Sequence, residues 1–388
     1  MQSLKFYGQP TPTMDCMSSS FDICIRGSGV VGSTLALLLA RQRLRVALVG
    51  HPAPANDVRA FALNAHSREV LSELRCWPEP SHATAVQSMQ VWGDAGGFVQ
   101  FQAPSFNGLT HIVDVPALEQ MLSQAIHYQT EIQRFDTAPE ATLTVVCEGR
   151  SSQTRKELGV VYSSMPYAQH ALATRVQCDK PHRQQALQWF SRSHGELDIL
   201  ALLPLGGNAG QEAAVVWSLP SSRALALEQS SADELSLALS QASQQVLGPL
   251  KVIAPVQVWP LHQAQALHWS GHFDNGQSWV LAGDAAHTIH PLAGLGLNLG
   301  LADISELASV LKERETSAYW RPLNDPYFLR RYERARKAGM QSTWLACDGL
   351  HRLFNQPMIP IQQLRNWGLN SFNQFNALKR WTMRQAMH

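Results

Sequence analysis

Residues 21–49 read FDICIRGSGVVGSTLALLLARQRLRVALV, and no other stretch restricts the possible folds as much. A β-rich run enters Gly27-x-Gly29-x-x-Gly32, an apolar helical segment follows, and residues 45–49 return as a second strand. In that β-α-β setting the glycines have distinct roles. Gly27 permits a tight turn, Gly29 lets a pyrophosphate approach the backbone, and Gly32 lets helix and strand pack closely. The phosphates would rest on a helix N-terminus, where free N–H groups and the macrodipole favour negative charge. Two details are unusual. The acid that normally ends the second strand and holds a ribose is absent, because Val49 is followed by Gly50-His51-Pro52 and Asp57 lies seven residues beyond Gly50. Arg26 occupies a place that normally continues an apolar strand; pairing with a phosphate and capping the strand end are both open.

Downstream the pattern changes. After residues 57–63 and a helix expected over 67–74, strand-like runs occur at 88–92, 98–101, 171–176, 199–203, 213–219 and 253–258. Loops rather than long helices join most of them, the signature of an antiparallel sheet distinct from the β-α-β unit. Helices are expected at 183–190 and 232–246, and from Leu297 nearly to the end, with breaks near 322–326 and 357–360.

A chain of 388 residues, 45% hydrophobic and 16% charged, has material for two domains and a sizeable core. No apolar run approaches the roughly 18–20 residues of a membrane span. Residues 1–20 lack the apolar centre of a secretory signal and are expected to form a disordered tail, with Met14 and Met17 as alternative starts. The six cysteines form no C-x-x-C and no paired framework, which suits a reducing compartment and a cytoplasmic location. The net charge of +1 conceals an asymmetry: residues 311–388 hold 13 Lys/Arg against 5 Asp/Glu, and from His351 onward there are five basic residues and no acid. Such a region suits an anionic membrane surface or an acidic partner, or is a solvated basic face. Basic residues are not interleaved with aromatics along a strand, so nucleic acid is not an expected partner.

Residues 280–303, VLAGDAAHTIHPLAGLGLNLGLAD, hold the second concentration of chemistry. His287-x-x-His290 has no third ligand at a recognisable spacing, so packing or hydrogen bonding is expected of the pair rather than metal binding. Gly283-Asp284 gains a fuller meaning beside the N-terminal glycines if the chain is a flavoprotein. Asp284 would accept a hydrogen bond from a ribityl hydroxyl of FAD. A helix starting near Leu297 would aim its N–H groups at the pyrimidine edge of the flavin, where negative charge appears on reduction.

On these residues the chain resembles the FAD-dependent aromatic hydroxylases of ubiquinone biosynthesis, within the para-hydroxybenzoate-hydroxylase-like flavoprotein monooxygenases. The resemblance is carried by residues 27–32, by Asp57-Val58-Arg59-Ala60-Phe61-Ala62-Leu63, and by 283–287 with 291–298. Tyr167-x-Gln169 and 201–204 carry it more weakly, and 364–370 with 378–380 resemble the ending of the ubiquinone branch. It implies an α/β chain with an FAD-binding Rossmann-like domain of the GR2 type (21–75, 111–165 and 272–310). An antiparallel-sheet substrate domain (76–110 and 166–271) would be inserted in it, and 311–388 would form C-terminal helices.

The resemblance implies FAD as cofactor, NAD(P)H as transient reductant, and O2 with a lipophilic polyprenylated phenol or quinone precursor as substrates. The ring oxygen would come from a hydroperoxide at flavin C4a. Gly27, Gly29, Val31, Gly32, Arg59, Asp284, Pro291, Gly294, Gly296, Leu297 and Asn298 would bind FAD. Among them Arg59 would lie near the phosphates, Pro291 at the face where oxygen reacts, and the N–H groups of Leu297 and Asn298 at the flavin O2 edge. No catalytic side chain is expected, because the flavin performs the chemistry while the protein positions the ring and excludes water. Tyr167 and Gln169 would line the substrate pocket or sit on a strand surface. Peripheral contact with the inner face of the membrane through the basic C-terminal region, and a homo-oligomer or quinone-biosynthesis complex, complete the expectation. The chain departs from the family at three places. The middle Asp-Gly motif reads Glu148-Gly149-Arg150-Ser151 with Arg155 following, residues 128–143 are too few for the usual small β-meander, and Leu295 replaces a glutamine. A weakly flavin-binding accessory member and a reductase of isoprenoid double bonds on the same fold are the rival readings.

Overall fold

The structure, a computed structural model, describes residues 21–51, 57–94, 96–105, 107–193, 195–273, 275–289 and 296–355. Residues 1–20, His290, Pro291, Gly294, Leu295, the expected break at 357–360 and the C-terminal matches at 364–370 and 378–380 lie outside the described residues.

Strand Phe21–Arg26, helix Val30–Ala40 and strand Val46–Val49 form the expected β-α-β unit, with Ile23 opposite Val46 and Arg26 opposite Val49 in parallel register. They belong to a six-stranded sheet ordered Ser270–His272, Ser278–Leu281, Ala141–Val146, Phe21–Arg26, Val46–Val49, Ile132–Phe135. Only its outer hairpin is antiparallel. Three parallel strands end in register: Arg26 faces Val146, and Val146 faces Leu281. The glycine loop, the Glu148-Gly149 turn and the Gly283-Asp284 turn therefore leave the sheet side by side, at the carboxyl ends where open parallel sheets bind ligands. Helix Val30–Ala40 is buried on nearly every side, between this sheet and helices Val115–His127 and Gly296–Ser317. Residues 136–140 alone connect Ile132–Phe135 to Ala141–Val146, which leaves no room for a meander.

A second, nine-stranded sheet is built on the long strand Tyr162–Cys178, which pairs antiparallel with Glu212–Pro220 and Gln257–Ala266. A small sheet of Ala60–Leu63, His111–Asp114 and Ala83–Ala85 lies between the two. Helices Gly296–Ser317 and Pro326–Asn355 follow, with the expected break between them. Among the described residues, no helix is long and apolar enough to cross a membrane.

Two expectations are corrected. Residues 183–190, expected as a helix, lie mostly in strand Gln185–Ser193, which pairs with Glu196–Pro204 on one side and Ser88–Trp92 on the other. Burial of Ala186, Leu187 and Trp189, and the stacking of Trp189 on Trp92 at 4.9 Å, outweigh the local helical preference of Gln-Gln-Ala-Leu. The run 253–258 is not one strand: Leu250–Val252 ends and Gln257–Ala266 begins around Pro255, which has no N–H for a ladder. The helix expected over 232–246 stops at Ala242, and that expected over 67–74 is Ala65–Glu73, capped where Asn64 accepts from the Ser67 N–H.

Candidate cofactor site

The first helix has no side-chain cap, since Gly29 stands at the N-cap and offers nothing to the free N–H groups of the first turn. A Cβ built on Gly29 would meet no atom within 4 Å. The other two glycines are dictated by packing: a Cβ on Gly32 would lie 1.8 Å from the Gly27 carbonyl oxygen, and one on Gly27, at φ 116°, would lie 2.3 Å from the Cys147 carbonyl oxygen. A positively polarised helix end open to solvent at Gly29 fits a pyrophosphate. Gly50 accounts for the missing ribose acid. At φ 149° its Cβ would fall 2.6 Å from Ser28 Oγ, and that hydroxyl donates to the His51 carbonyl at 2.8 Å. An acid at position 50 would collide with the glycine loop.

Asp284 is half-buried, and no described residue hydrogen-bonds its carboxylate. Burial raises its pKa above the ordinary carboxylate value, against the opposing fields of His287, Arg150, His262 and Arg59. A Cβ on Gly296 would sit 4.0 Å from Asp284 Oδ1, so the carboxylate lies against the start of helix Gly296–Ser317. Val31 packs between the two motifs, with its methyls 3.5 Å from a Cβ built on Gly283 and 2.9 Å from one built on Gly300. Asn298 is buried: its Oδ1 accepts from the Asn64 N–H and from Ser67 Oγ, and its Nδ2 donates to the Ala62 carbonyl. Gly29, Val31, Asp284, Gly296 and Asn298 thus converge from distant parts of the chain, with Leu297 partly buried beside them. A carboxylate without a partner among the described residues, beside the uncapped start of helix Val30–Ala40 and the start of helix Gly296–Ser317, matches a cofactor carrying hydroxyls and negative charge, so the residues present fit FAD.

The Gly283-Asp284 turn is held from below by residues not foreseen as site residues. Asp303, fully buried, accepts from the Gly283 N–H at 2.9 Å, from His287 Nε2 at 2.7 Å and from Arg336 Nε at 2.8 Å. Burial works against its charge, but His287 and Arg336 outweigh that and hold its pKa below the ordinary range. His287 also stacks on Trp269 at 4.9 Å, the packing and hydrogen-bonding role expected of it. Arg155, buried, donates to the carbonyls of Ala285 and Arg150 and lies 3.6 Å from the ring centre of Tyr162. The Tyr162 hydroxyl donates to the Asp284 carbonyl at 3.2 Å. A signal for Asp303 existed in the sequence: in LNLGLADISELA it falls on the same helix face as Gly300, Ile304 and Leu307, where an acid needs partners.

Two oddities of the sequence explain each other. Arg26 Nε lies 3.2 Å from Glu148 Oε1, so Arg26 faces the altered Asp-Gly motif. Glu148 also accepts from Ser152 Oγ, Thr154 Oγ1 and the Thr154 N–H. Burial raises its pKa, but these bonds and Arg26 outweigh it, and the net direction is down. Arg59, expected at the FAD phosphates, folds back on Asp57, with Nε 2.9 Å from each carboxylate oxygen, and the fields of Glu119 and Asp284 also reach it. Asp57 is thereby committed to Arg59 rather than to a ribose. Gln169 is buried and donates to the Leu197 carbonyl at 2.6 Å, and the Tyr167 hydroxyl donates to Gln263 at 2.5 Å; both bonds fasten the second sheet.

A family model described as the FAD binding domain matches residues 133–342, more than half of the chain. The chain is 28% identical over 399 residues to the 3-demethoxyubiquinol 3-hydroxylase of Escherichia coli, covering 94% of this chain and 98% of that one. It is 26% identical over 398 residues to the ubiquinone hydroxylase UbiL of Rhodospirillum rubrum, covering 94% and 89% respectively. Among solved structures, the p-nitrophenol 4-monooxygenase PnpA of Pseudomonas putida matches with a TM-score of 0.72 at 15% identity, over 95% of this chain and 97% of that one, a likeness of fold. The α/β architecture, FAD as cofactor and the resemblance to ubiquinone-biosynthesis hydroxylases are borne out, and the chain belongs to the FAD binding domain family.

Proposed function

We propose that the protein is an FAD-dependent monooxygenase that uses NAD(P)H and O2 to hydroxylate the ring of a polyprenylated phenol or quinone precursor. The observation that carries this reading is the convergence of the uncapped helix at Gly29, the Asp284 carboxylate, unpartnered among the described residues, and the helix start at Gly296–Asn298 on one sheet end. The names of the E. coli and R. rubrum relatives supply the substrate class. Bound FAD would supply the electron transfer and oxygen activation that amino-acid side chains lack. The chain's own part is positioning. The N–H groups after Gly29 would hold the pyrophosphate, Asp284 would accept from a ribityl hydroxyl, and the helix start at Leu297–Asn298 would favour negative charge at the pyrimidine edge. Asp303, Arg336, Arg155 and Tyr162 would keep Asp284 in place without touching the cofactor.

In the same reading the basic region from His351 onward contacts anionic lipid, and the protein works as a homo-oligomer or within a quinone-biosynthesis complex. The exposed Tyr319 and Trp320 at the turn before Pro326–Asn355 support a lipid-facing end, since aromatics of this kind favour the membrane interface. The test is purification with and without added FAD, followed by prenylphenol-stimulated NAD(P)H oxidation under labelled oxygen. A yellow protein that places the label in the product ring is expected. A folded protein that stays colourless and ignores added FAD overturns the reading, and a saturated prenyl chain without label indicates the reductase instead. For the lipid contact, truncation after Pro360 should weaken binding to anionic vesicles; unchanged binding removes that part.

A further inference from the structure

A second concave site lies behind the small sheet. Helix Ala65–Glu73, strands Ala83–Ala85 and His111–Asp114, and the turn 205–210 border an open cavity of about 790 Å³. Trp77, Pro78 and Pro80 give it flat apolar walls, while Arg68 and His111 give it polarity. A Cβ on Gly206 would lie 2.2 Å from the Ser81 carbonyl oxygen, so the turn is pressed against the opposite wall and the shape is set in advance.

Arg68 supplies the charge. The guanidinium groups of Arg59, Arg175, Arg192, Arg223, Arg331 and Arg336 each face a carboxylate. That of half-buried Arg68 faces none among the described residues. One of its nitrogens lies 3.3 Å from His111 Nε2, and the group sits 5.7 Å from the centre of the Trp77 indole ring. His111 stands edge-on to the same indole at 5.3 Å. Burial, helped by the field of Arg68, pushes the His111 pKa down to about 4, so near neutral pH its Nε2 can accept from Arg68 and adds no charge. Thr84, 6% exposed on the cavity wall, has a hydroxyl with no hydrogen-bond partner among the described residues. The cavity thus combines one fixed positive charge without a counter-charge, a flat aromatic wall and an unsatisfied hydroxyl.

We propose that this cavity binds an aromatic monocarboxylate, with the carboxylate on Arg68 and the ring along Trp77. A single cation matches a monoanion rather than a phosphate dianion, and the guanidinium fork matches the planar carboxylate. Indole and proline walls suit a desolvated ring rather than a hydrated inorganic ion, and the volume falls in the range of small-molecule sites. The site does not depend on the flavin reading.

The test is calorimetric titration, with saturating FAD present, of wild type, Arg68→Gln, Arg68→Lys and Trp77→Leu with benzoate, benzamide and cyclohexanecarboxylate. Benzoate should bind wild type, and benzamide should bind at least about tenfold more weakly, the usual scale for losing one charge-assisted pair. Arg68→Gln should lose benzoate by a similar factor, Arg68→Lys should retain part of it, and Trp77→Leu should abolish the preference for benzoate over cyclohexanecarboxylate. Thermal midpoints identify any variant that fails to fold, in which case the remaining variants decide. Absence of millimolar benzoate binding, equal binding of benzamide, or wild-type affinity in a folded Arg68 variant overturns the assignment.

Discussion

Replacing Asp303 by asparagine tests the claim that the Gly283-Asp284 turn is held by a buried charge rather than by its own backbone. Asp303 accepts from the Gly283 N–H, His287 and Arg336 with no exposure to solvent. In Asp303→Asn the amide oxygen can still serve Gly283 and His287. The amide NH2 then points at Arg336 Nε, donor against donor, and the guanidinium loses its counter-charge. Removing one partner of a buried pair costs about 3–5 kcal/mol, and the bonds that asparagine keeps place the expected loss at about 3 kcal/mol. Urea unfolding should show this as a lower midpoint with an unchanged slope. Flavin-fluorescence titration should show weaker FAD binding, although Asp303 lies beneath the turn. Adding Arg336→Met removes the stranded cation and should restore about half of the stability. The pH dependence has a definite sign. Because the folded pKa of Asp303 is depressed, its stabilising contribution is present above the unfolded value near pH 4 and is lost as the pH falls through the folded value. Asp303→Asn should therefore flatten the acid limb of the stability profile. A variant within about 0.5 kcal/mol of wild type, with wild-type FAD affinity, would refute the reasoning.

Three further outcomes are expected. Gly29→Ala should melt like wild type but bind FAD more weakly, whereas Gly32→Ala, whose Cβ would sit 1.8 Å from the Gly27 carbonyl oxygen, should lose about 3 kcal/mol or more, as overpacking against backbone does; equal melting of the two would refute the packing argument. Asp284→Asn should stabilise the apoprotein at neutral pH and weaken FAD binding. Its folded pKa is raised, so its cost to stability appears above the unfolded value near pH 4 and grows as the pH rises toward the folded value; an unchanged slope of apoprotein stability against pH there would count against it. A double-mutant cycle of Arg26→Met with Glu148→Gln should give a coupling of about 1 kcal/mol, since both side chains are largely covered but not fully desolvated; additive losses would separate the two residues.

The parts of the site legible in the sequence are those written as short local patterns. Gly27–Gly29–Gly32 and Gly283-Asp284 are short motifs at strand ends, so spacing alone betrays them, although Gly27 packs on the distant Cys147 carbonyl and Gly283 on Val31. Arg26 and Glu148 were both visible as departures, but their pairing depends on strands Phe21–Arg26 and Ala141–Val146 ending in register, which local pattern does not state. Asp303 and Arg336 meet across two helices, a contact fixed by tertiary packing. Residues 183–190 carry a helical local pattern but form a strand for the related reason that neighbouring strands on both sides, rather than the segment itself, decide its conformation. Asn298 was legible as a position but not as a clasp, because its partners Asn64, Ser67 and Ala62 belong to another part of the chain.

The reach of Arg336 to Asp303 bears on the order in which a ribosome delivers the protein. The β-α-β unit emerges first, yet the sheet it starts gains strand Ser278–Leu281 only after the entire second sheet except His287–Thr288 has been made. The brace under Asp284 then waits for residue 336. A nascent chain stalled between those points would display the glycine loop without the floor of its pocket, so FAD should be acquired only after most of the polypeptide has left the exit tunnel.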